Sequence, residues 1–428
     1  MRIYLDSIGC RLNQSEIEKM GLQFRAAGHT LVENPASADL VVVNTCTVTG
    51  EAAADSRQKI RQAWRAGSTQ IVVTGCWSTL EPEHALALPG VARVIANQGK
   101  DHLVSKVLNL NEEEFDREPL VRKPLPGLHL RTRAFIKSQD GCDNHCTYCV
   151  TRIARGPGHS QPVGEILGDV RAALAGGVQE IVLTGVNLGS WGHDLEPHST
   201  LRDLVEILLS QTGPARLRFS SLEPWNLDEE FFSLWKNPRL CRHLHLPLQS
   251  GSAATLRRMA RKTTPESFAR LVAQARKAVP QIAITTDILV GFPGESEAEF
   301  AESLDFIRQM QFSGGHVFAY SPRPGTPAAC YAEQVPFAIR KQRSAIVRQV
   351  LAESAGVYAR RFLGQTLPVL WEATDALGPG GWQLQGFTDN YLRVRATHPQ
   401  RLWNQITPVK LEALQEEGIQ GQILTPVA

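Results

Sequence analysis

Gly141-Cys142-Asp143-Asn144-His145-Cys146-Thr147-Tyr148-Cys149 sets three cysteines at C-x3-C-x2-C spacing. Soft thiolates select iron–sulfur clusters or zinc. A closed [4Fe–4S] site takes four cysteines, and no fourth follows this stretch nearby. A four-iron cluster held here would keep one iron without a protein ligand, open to chemistry. Two alternatives compete. One is a structural zinc site recruiting His145, although structural zinc usually shows two paired ligand motifs. The other is three unrelated buried thiols.

The rest of the chain bounds the reading. Its 428 residues suggest two to four domains. A hydrophobic fraction of 43% and a charged fraction of 21% are ordinary for a globular protein. A net charge of +2 neither demands nor excludes nucleic acid. No charged-then-apolar leader precedes the strand-like Arg2–Ser7, and no apolar run approaches the ~18 residues of a membrane span. A cytoplasmic location follows as the expectation, with no membrane partner. Clustered cysteines there imply metal or catalysis rather than disulfides.

Residues 1–125 alternate strand and helix. Arg2–Ser7 reads as a strand, Ser15-x-x-Glu18 as a capping box, and Ile17, Met20 and Phe24 as one helical stripe. Leu40-Val41-Val42-Val43 and Gln70–Thr74 read as strands buried on both faces, with a helix between them over 52–66. The expected class is α/β with a parallel sheet. Cys10, Cys46 and Cys76 each lie just past a predicted strand end, where open α/β sheets bind ligands. They are 36 and 30 residues apart in sequence, yet the topology gathers them. Taken singly each is a small buried hydrophobe; taken together they form a second three-thiolate site.

Residues 111–130, acidic at Glu112-Glu113-Glu114 and rich in proline, read as a linker. Six strand–helix units are expected over 128–358, with strands near 134–138, 180–184, 217–220, 243–246, 283–289 and 316–320. Among the helices is one over 228–234. Six units are too few for a complete eight-fold barrel. Polar and Gly-rich residues gather after the strands: Gly185 and Asn187, Glu223, Gln249, Asp287, and Gly291–Glu295. Arg257, Arg258, Arg261 and Lys262, like Arg152 and Arg155, read as a solvated face that can also meet phosphates. Residues 361–428 alternate in five short runs, the pattern of a small all-β barrel of the OB type. Trp382, Phe387, Tyr391, Arg393 and Arg395 are its candidates for stacking on bases or pairing with phosphates.

The C-x3-C-x-aromatic-C pattern, with Tyr148 as its aromatic, resembles the signature of radical S-adenosylmethionine (SAM) enzymes. Gly9-Cys10-Arg11-Leu12-Asn13-Gln14, Asn44-Thr45-Cys46-Thr47 and Thr74-Gly75-Cys76 extend the resemblance over the whole chain, to the radical SAM methylthiotransferases. Thr47-Val48-Thr49-Gly50-Glu51-Ala52 is most similar to the branch acting on N6-threonylcarbamoyladenosine (t6A) in tRNA.

That resemblance implies a flavodoxin-like amino-terminal domain (1–125), a partial (β/α)6 radical SAM core (128–358) and a TRAM-like RNA-binding barrel (361–428). It implies two [4Fe–4S] clusters, one on Cys10, Cys46 and Cys76 and one on Cys142, Cys146 and Cys149, the catalytic set. It implies SAM, with Tyr148, Gly185, Asn187, Glu223, Gln249 and Asp287 lining its site. One SAM is cleaved to a radical at the core cluster, and another methylates sulfur at the amino-terminal one. Expected partners are tRNA at adenosine 37 of the anticodon loop and an electron donor such as flavodoxin or ferredoxin; the sulfur donor is unassigned. Competing readings are isopentenyladenosine in tRNA, a ribosomal-protein side chain, and a non-catalytic RNA-binding iron–sulfur protein.

Overall fold

The computed structural model describes residues 1–68, 70–111, 132–378 and 380–424. The expected linker, apart from Asn111, lies outside the described residues. The chain forms two compact units. One comprises Met1–Gly177, Leu183–Leu201 and Ser321–Ala329; the other comprises Val178–Val182, Arg202–Tyr320 and Cys330–Ala428.

The first unit begins with β1 (Arg2–Ser7), α1 (Arg11–Ala26), β2 (Thr30–Leu31), β3 (Leu40–Thr45) and α2 (Gly50–Arg65). It continues with β4 (Ile71–Gly75), α3 (Cys76–Leu80), α4 (Pro82–Leu86), β5 (Val91–Ile95) and α5 (Leu103–Leu108). These five strands form one parallel sheet, in the order β2-β1-β3-β4-β5. This is the flavodoxin-like order, whose winding reverses between β1 and β3. Leu40 and Val42 join Ile17, Met20 and Phe24 on one face, while Val41 and Val43 join Ala53 and Ile60 on the other. With both faces covered, β3 keeps no polar alternation.

One expected boundary is corrected. Helix α1 starts at Arg11, with Cys10 as an N-cap whose side chain does not cap the helix but donates to Asn13 Oδ1 at 3.8 Å. The tight turn carrying Cys10 launches the helix early, so Ser15 falls inside it. There Ser15 Oγ accepts the amide of Lys137 at 3.1 Å instead of capping. The unit then adds β6 (Arg133–Lys137), β7 (Gln139–Asp140), the cysteine loop, α6 (Thr151–Arg155), β8 (His159–Ser160) and α7 (Val163–Ala175).

Next come β9 (Glu180–Thr184), α8 (Leu201–Gln211), β10 (Arg216–Phe219), β11 (His243–His245), α9 (Ala253–Arg258) and α10 (Pro265–Ala278). They lead to β12 (Ala283–Val290), α11 (Glu297–Met310), β13 (Gly314–Ala319) and α12 (Phe337–Arg360). In the second unit β11, β12 and β13 are parallel neighbours. The α-helix expected over 228–234 is a 3-10 helix, Glu230–Lys236. Its Phe231 and Trp235 pack on Phe219 with ring centroids 5.5 and 5.9 Å away, and the tighter coil suits that short aromatic cluster.

Helix α12 leads into β14 (Thr366–Gly378), β15 (Gly381–Thr388), β16 (Arg393–His398), β17 (Ile406–Gln415) and β18 (Gly418–Ile423). These close into a barrel, β14-β15-β16-β18-β17. Closure removes the sheet edges. Val369, Trp371, Leu384, Val394, Val409 and Leu411 fill it, and Tyr358 and Phe362 join the same core. The candidates for base stacking are engaged internally: Tyr391 stacks on Phe387 and on His243, with Arg218 over its ring at 4.8 Å. Arg393 lies over Phe387, Arg401 over Trp382, and Arg395 pairs with Glu417. Among the described residues no helix is long and apolar enough to cross a membrane.

Candidate metal centre and cofactor site

Cys10, Cys46 and Cys76 follow β1, β3 and β4, at the edge that includes the β1/β3 switch point. Gly9 has φ +102°, and a Cβ there would stand 2.5 Å from Cys46 Sγ. Gly75 has φ +100°, and a Cβ would meet Thr45 O at 2.3 Å. Both glycines therefore permit close approach of the cysteine turns. Asn97 Nδ2 donates toward Cys76 Sγ at 3.6 Å. Burial first, and then the neighbouring Cys10 and Cys76, push the Cys46 thiol up to about 11.

The Cys46 thiol thus resists ionisation unless a cation joins it, which fits iron ligation. Among the described residues no three His, Cys, Asp or Glu side chains are grouped to hold one metal ion. In a cluster each cysteine serves a different iron, so its ligands stand farther apart than those of a single ion.

The Cys142–Cys149 loop lies between β7 and α6. Cys142 donates its amide to Gly156 O at 3.1 Å, and Cys149 to Cys146 O at 3.1 Å. The amide of Asn144 points at Cys142 Sγ, 3.4 Å away, and Ala328 donates to Thr147 O at 2.9 Å. An N–H aimed at a cysteine sulfur suits a thiolate ligand. His145 faces the Arg152 guanidinium, a poor setting for a zinc-binding imidazole.

Behind both cysteine sets lies a buried ionic network in the first unit. Arg155, expected on a solvated face, has a side chain only 2% exposed. Its Nη1 donates to Glu16 Oε1 at 2.9 Å and Asp140 Oδ1 at 2.9 Å, and its Nη2 to Asn13 Oδ1 at 2.6 Å. Lys100 meets Glu16 at 2.8 Å, while Lys137 meets Asp140 and Asp101 at 3.1 Å each. Burial opposes the charge on Glu16, but Arg155, Lys100 and Lys137 outweigh it and hold the carboxyl well below its usual range. Glu16 was detectable as a charge on the apolar stripe of Ile17 and Met20; such a charge must find a partner inside.

The candidate cofactor contacts divide by unit. In the first, Tyr148 is half-buried in the cysteine loop. A Cβ on Gly185 would lie 3.0 Å from Gln139 Oε1, the atom that accepts the Asn187 amide at 2.7 Å. Gln139 Nε2 donates to Gly141 O at 2.8 Å, so Gly185 and Asn187 stand beside the loop entrance.

In the second unit, Gln249 adopts φ +72°, rare for a residue with a side chain. It donates its amide to Asp287 O at 2.8 Å. Asp287 pairs with His245 at 3.2 Å. Glu223 pairs with Arg261 at 2.7 Å, and Arg261 also lies 4.5 Å from the Trp225 ring centroid. Arg258 pairs with Glu299. Arg258 and Arg261 are thus internal partners, whereas Arg257 and Lys262 are exposed.

Two family models match: "Uncharacterized protein family UPF0004" over residues 2–96 and "Radical SAM superfamily" over residues 136–307. With that superfamily come an iron–sulfur cluster and SAM as cofactors. The fold is similar to TsrM of Kitasatospora setae, a radical SAM methyltransferase solved with cobalamin and a [4Fe–4S] cluster. The TM-score is 0.59 at 16% identity, covering 77% of each chain.

In sequence the chain is 34% identical to the threonylcarbamoyladenosine tRNA methylthiotransferase MtaB of Bacillus subtilis, over 95% of this chain and 92% of the relative. It is 35% identical to MtaB of Thermotoga maritima, over 97% and 96%. It is 30% identical to the tRNA-2-methylthio-N(6)-dimethylallyladenosine synthase of Maricaulis maris, over 99% and 97%. All three relatives are matched over more than nine-tenths of their length, and the chain belongs to the radical SAM methylthiotransferase family.

Proposed function

We propose that this chain places a methylthio group on carbon 2 of t6A at position 37 of tRNA. The observation that carries this reading is the near-full-length likeness to two MtaB proteins, at 34% and 35% identity. Cys142, Cys146 and Cys149 would hold the cluster that binds SAM. Cys10, Cys46 and Cys76 would hold a second cluster, a reading supported by their common sheet edge. Together the clusters and SAM supply radical activation of an inert aromatic C–H bond and a carrier for the incoming sulfur.

The chain's own part is positioning. Gly185 and Asn187 fix backbone beside the cysteine loop, and Tyr148 offers a ring to an adenine. Gln249 and Asp287 present polar groups at a strand end, and Glu223 does so from its pair with Arg261. In this scheme residues 1–125 carry the second cluster, 128–358 the radical chemistry and 361–428 the grip on tRNA. An electron donor such as flavodoxin or ferredoxin reduces the clusters. Mass spectrometry of tRNA nucleosides from cells with and without the gene tests the proposal. Loss of 2-methylthio-t6A is expected; loss of a 2-methylthio-isopentenyladenosine instead would overturn the substrate.

A further inference from the structure

Arg155 touches the supports of both cysteine sets. Through Asp140, whose Oδ1 also accepts the Gly141 amide at 2.8 Å, it fixes the entrance to the Cys142 loop. Through Asn13 it reaches the other set. Asn13 Nδ2 donates to Ile8 O at 2.8 Å and to Thr45 O at 3.0 Å, in the turns that carry Cys10 and Cys46. Asn97 adds a second tie, donating to Ala154 O at 2.7 Å and toward Cys76 Sγ at 3.6 Å. The planar guanidinium of Arg155 reaches Glu16, Asp140 and Asn13 from two nitrogens in a fixed fork, a span that the single nitrogen of an ammonium lacks.

We propose that Arg155 is a positioning residue for the amino-terminal cysteine set. Its fork holds the Cys10 and Cys46 turns in register with the Cys142 loop, and its fixed charge raises the reduction potential of a cluster on Cys10, Cys46 and Cys76. The inference rests on the reading that those three cysteines hold a second cluster. Reduction adds one electron and breaks no bond. A buried cation nearby stabilises the more negative product, and the low-dielectric surroundings strengthen the effect.

The test uses the full chain with Cys142, Cys146 and Cys149 all changed to Ala, reconstituted anaerobically with iron and sulfide. Iron per chain is counted. The midpoint potential is read by electron paramagnetic resonance during titration with dithionite, the one-electron source. Arg155→Gln is expected to keep iron and shift the midpoint to a more negative value, with Arg155→Lys between it and the parent. An unshifted midpoint in Arg155→Gln, with iron bound, overturns the inference alone. A parent that binds no iron overturns the second-cluster reading and the inference with it.

If Arg155→Gln fails to fold, Glu16→Gln gives the complementary measurement. Removing a neighbouring negative charge must move the midpoint the other way, and an unmoved value overturns the inference. In the chain with all six cysteines, Arg155→Lys is expected to lower methylthio transfer at least ~10-fold, and further than it lowers SAM cleavage, because misplacing a reacting group is costly.

Discussion

Arg218 Nε donates to Glu180 Oε1 at 2.6 Å, and neither side chain has exposed surface. The same guanidinium lies over Tyr391 in the turn between β15 and β16, so the pair also anchors the carboxy-terminal barrel within its unit. Breaking a buried pair strands a charge, at a cost of about 3–5 kcal/mol. Arg218→Met or Glu180→Leu alone should therefore lower the unfolding midpoint sharply. The double variant should recover part of the loss, with a remainder from Arg216, which lies 3.8 Å from Glu180 and loses that carboxylate. Thermal or urea unfolding of the four proteins measures this coupling.

Asp389 and Arg242 form the neighbouring contact, a bidentate pair at 2.7 and 3.0 Å. Burial disfavours the Asp389 carboxylate, but hydrogen bonds and charge from Arg242 outweigh it and hold the group below the usual aspartate range. A depressed folded value means that the contribution is fully present above the unfolded value of about 3.9 and is lost as pH falls through the folded one. Asp389→Asn should cost about 1.5–3 kcal/mol near neutral pH. The gap between wild type and variant should close in acid below that value. A gap that stays constant from neutral pH into acid would contradict the assignment.

What the sequence disclosed follows from where its signals are local. Leu40-Val41-Val42-Val43 announces a doubly buried strand, and the three strand-end cysteines then fall on one edge by topology alone. Val163–Ala175 and Pro265–Ala278 carry their own helical periodicity, and both form at those bounds. The errors arise where a distant partner decides. Ser15 and Glu18 carry a capping signature, but Lys137 claims the Ser15 hydroxyl from more than a hundred residues away. Arg155 looks like one more surface cation until Glu16, Asn13 and Asp140 are folded around it. Tyr391 looks free to stack on a base, but Phe387, His243 and Arg218 already pack against its ring. The 24-residue helix α12 carries no clear periodic signal in the sequence. Its buried residues answer to β13 and the barrel rather than to a regular stripe of its own.

Gly141 gives a prediction about the cysteine loop. Its φ is +65°, and a Cβ would stand 1.8 Å from Pro157 O, a backbone atom that cannot yield cheaply. Left-handed geometry alone costs about 1–2 kcal/mol for a residue with a side chain. If both cysteine sets hold iron, Gly141→Ala should displace the entrance to Cys142 and lower the iron on Cys142, Cys146 and Cys149 while sparing that on the amino-terminal set. Iron analysis beside the variant lacking Cys10, Cys46 and Cys76 separates the two contributions.

The two cysteine sets should also separate by chemistry. If each holds one four-iron cluster, Cys10→Ala and Cys142→Ala should each lower the iron content by about four per chain. Their effects on turnover should differ. Cys142 belongs to the set beside Gly185, Asn187 and Tyr148, so Cys142→Ala should abolish both reductive SAM cleavage and methylthio transfer. Cys10 stands at the other sheet edge, held by the turn after β1, so Cys10→Ala should leave SAM cleavage measurable while ending methylthiolation of tRNA. Loss of SAM cleavage in both variants would mean that the sets act as one folding unit. Arg155, Asn13 and Asp140 supply the mechanical link through which that would occur, and Arg155→Lys would then reproduce the defect with all six cysteines in place.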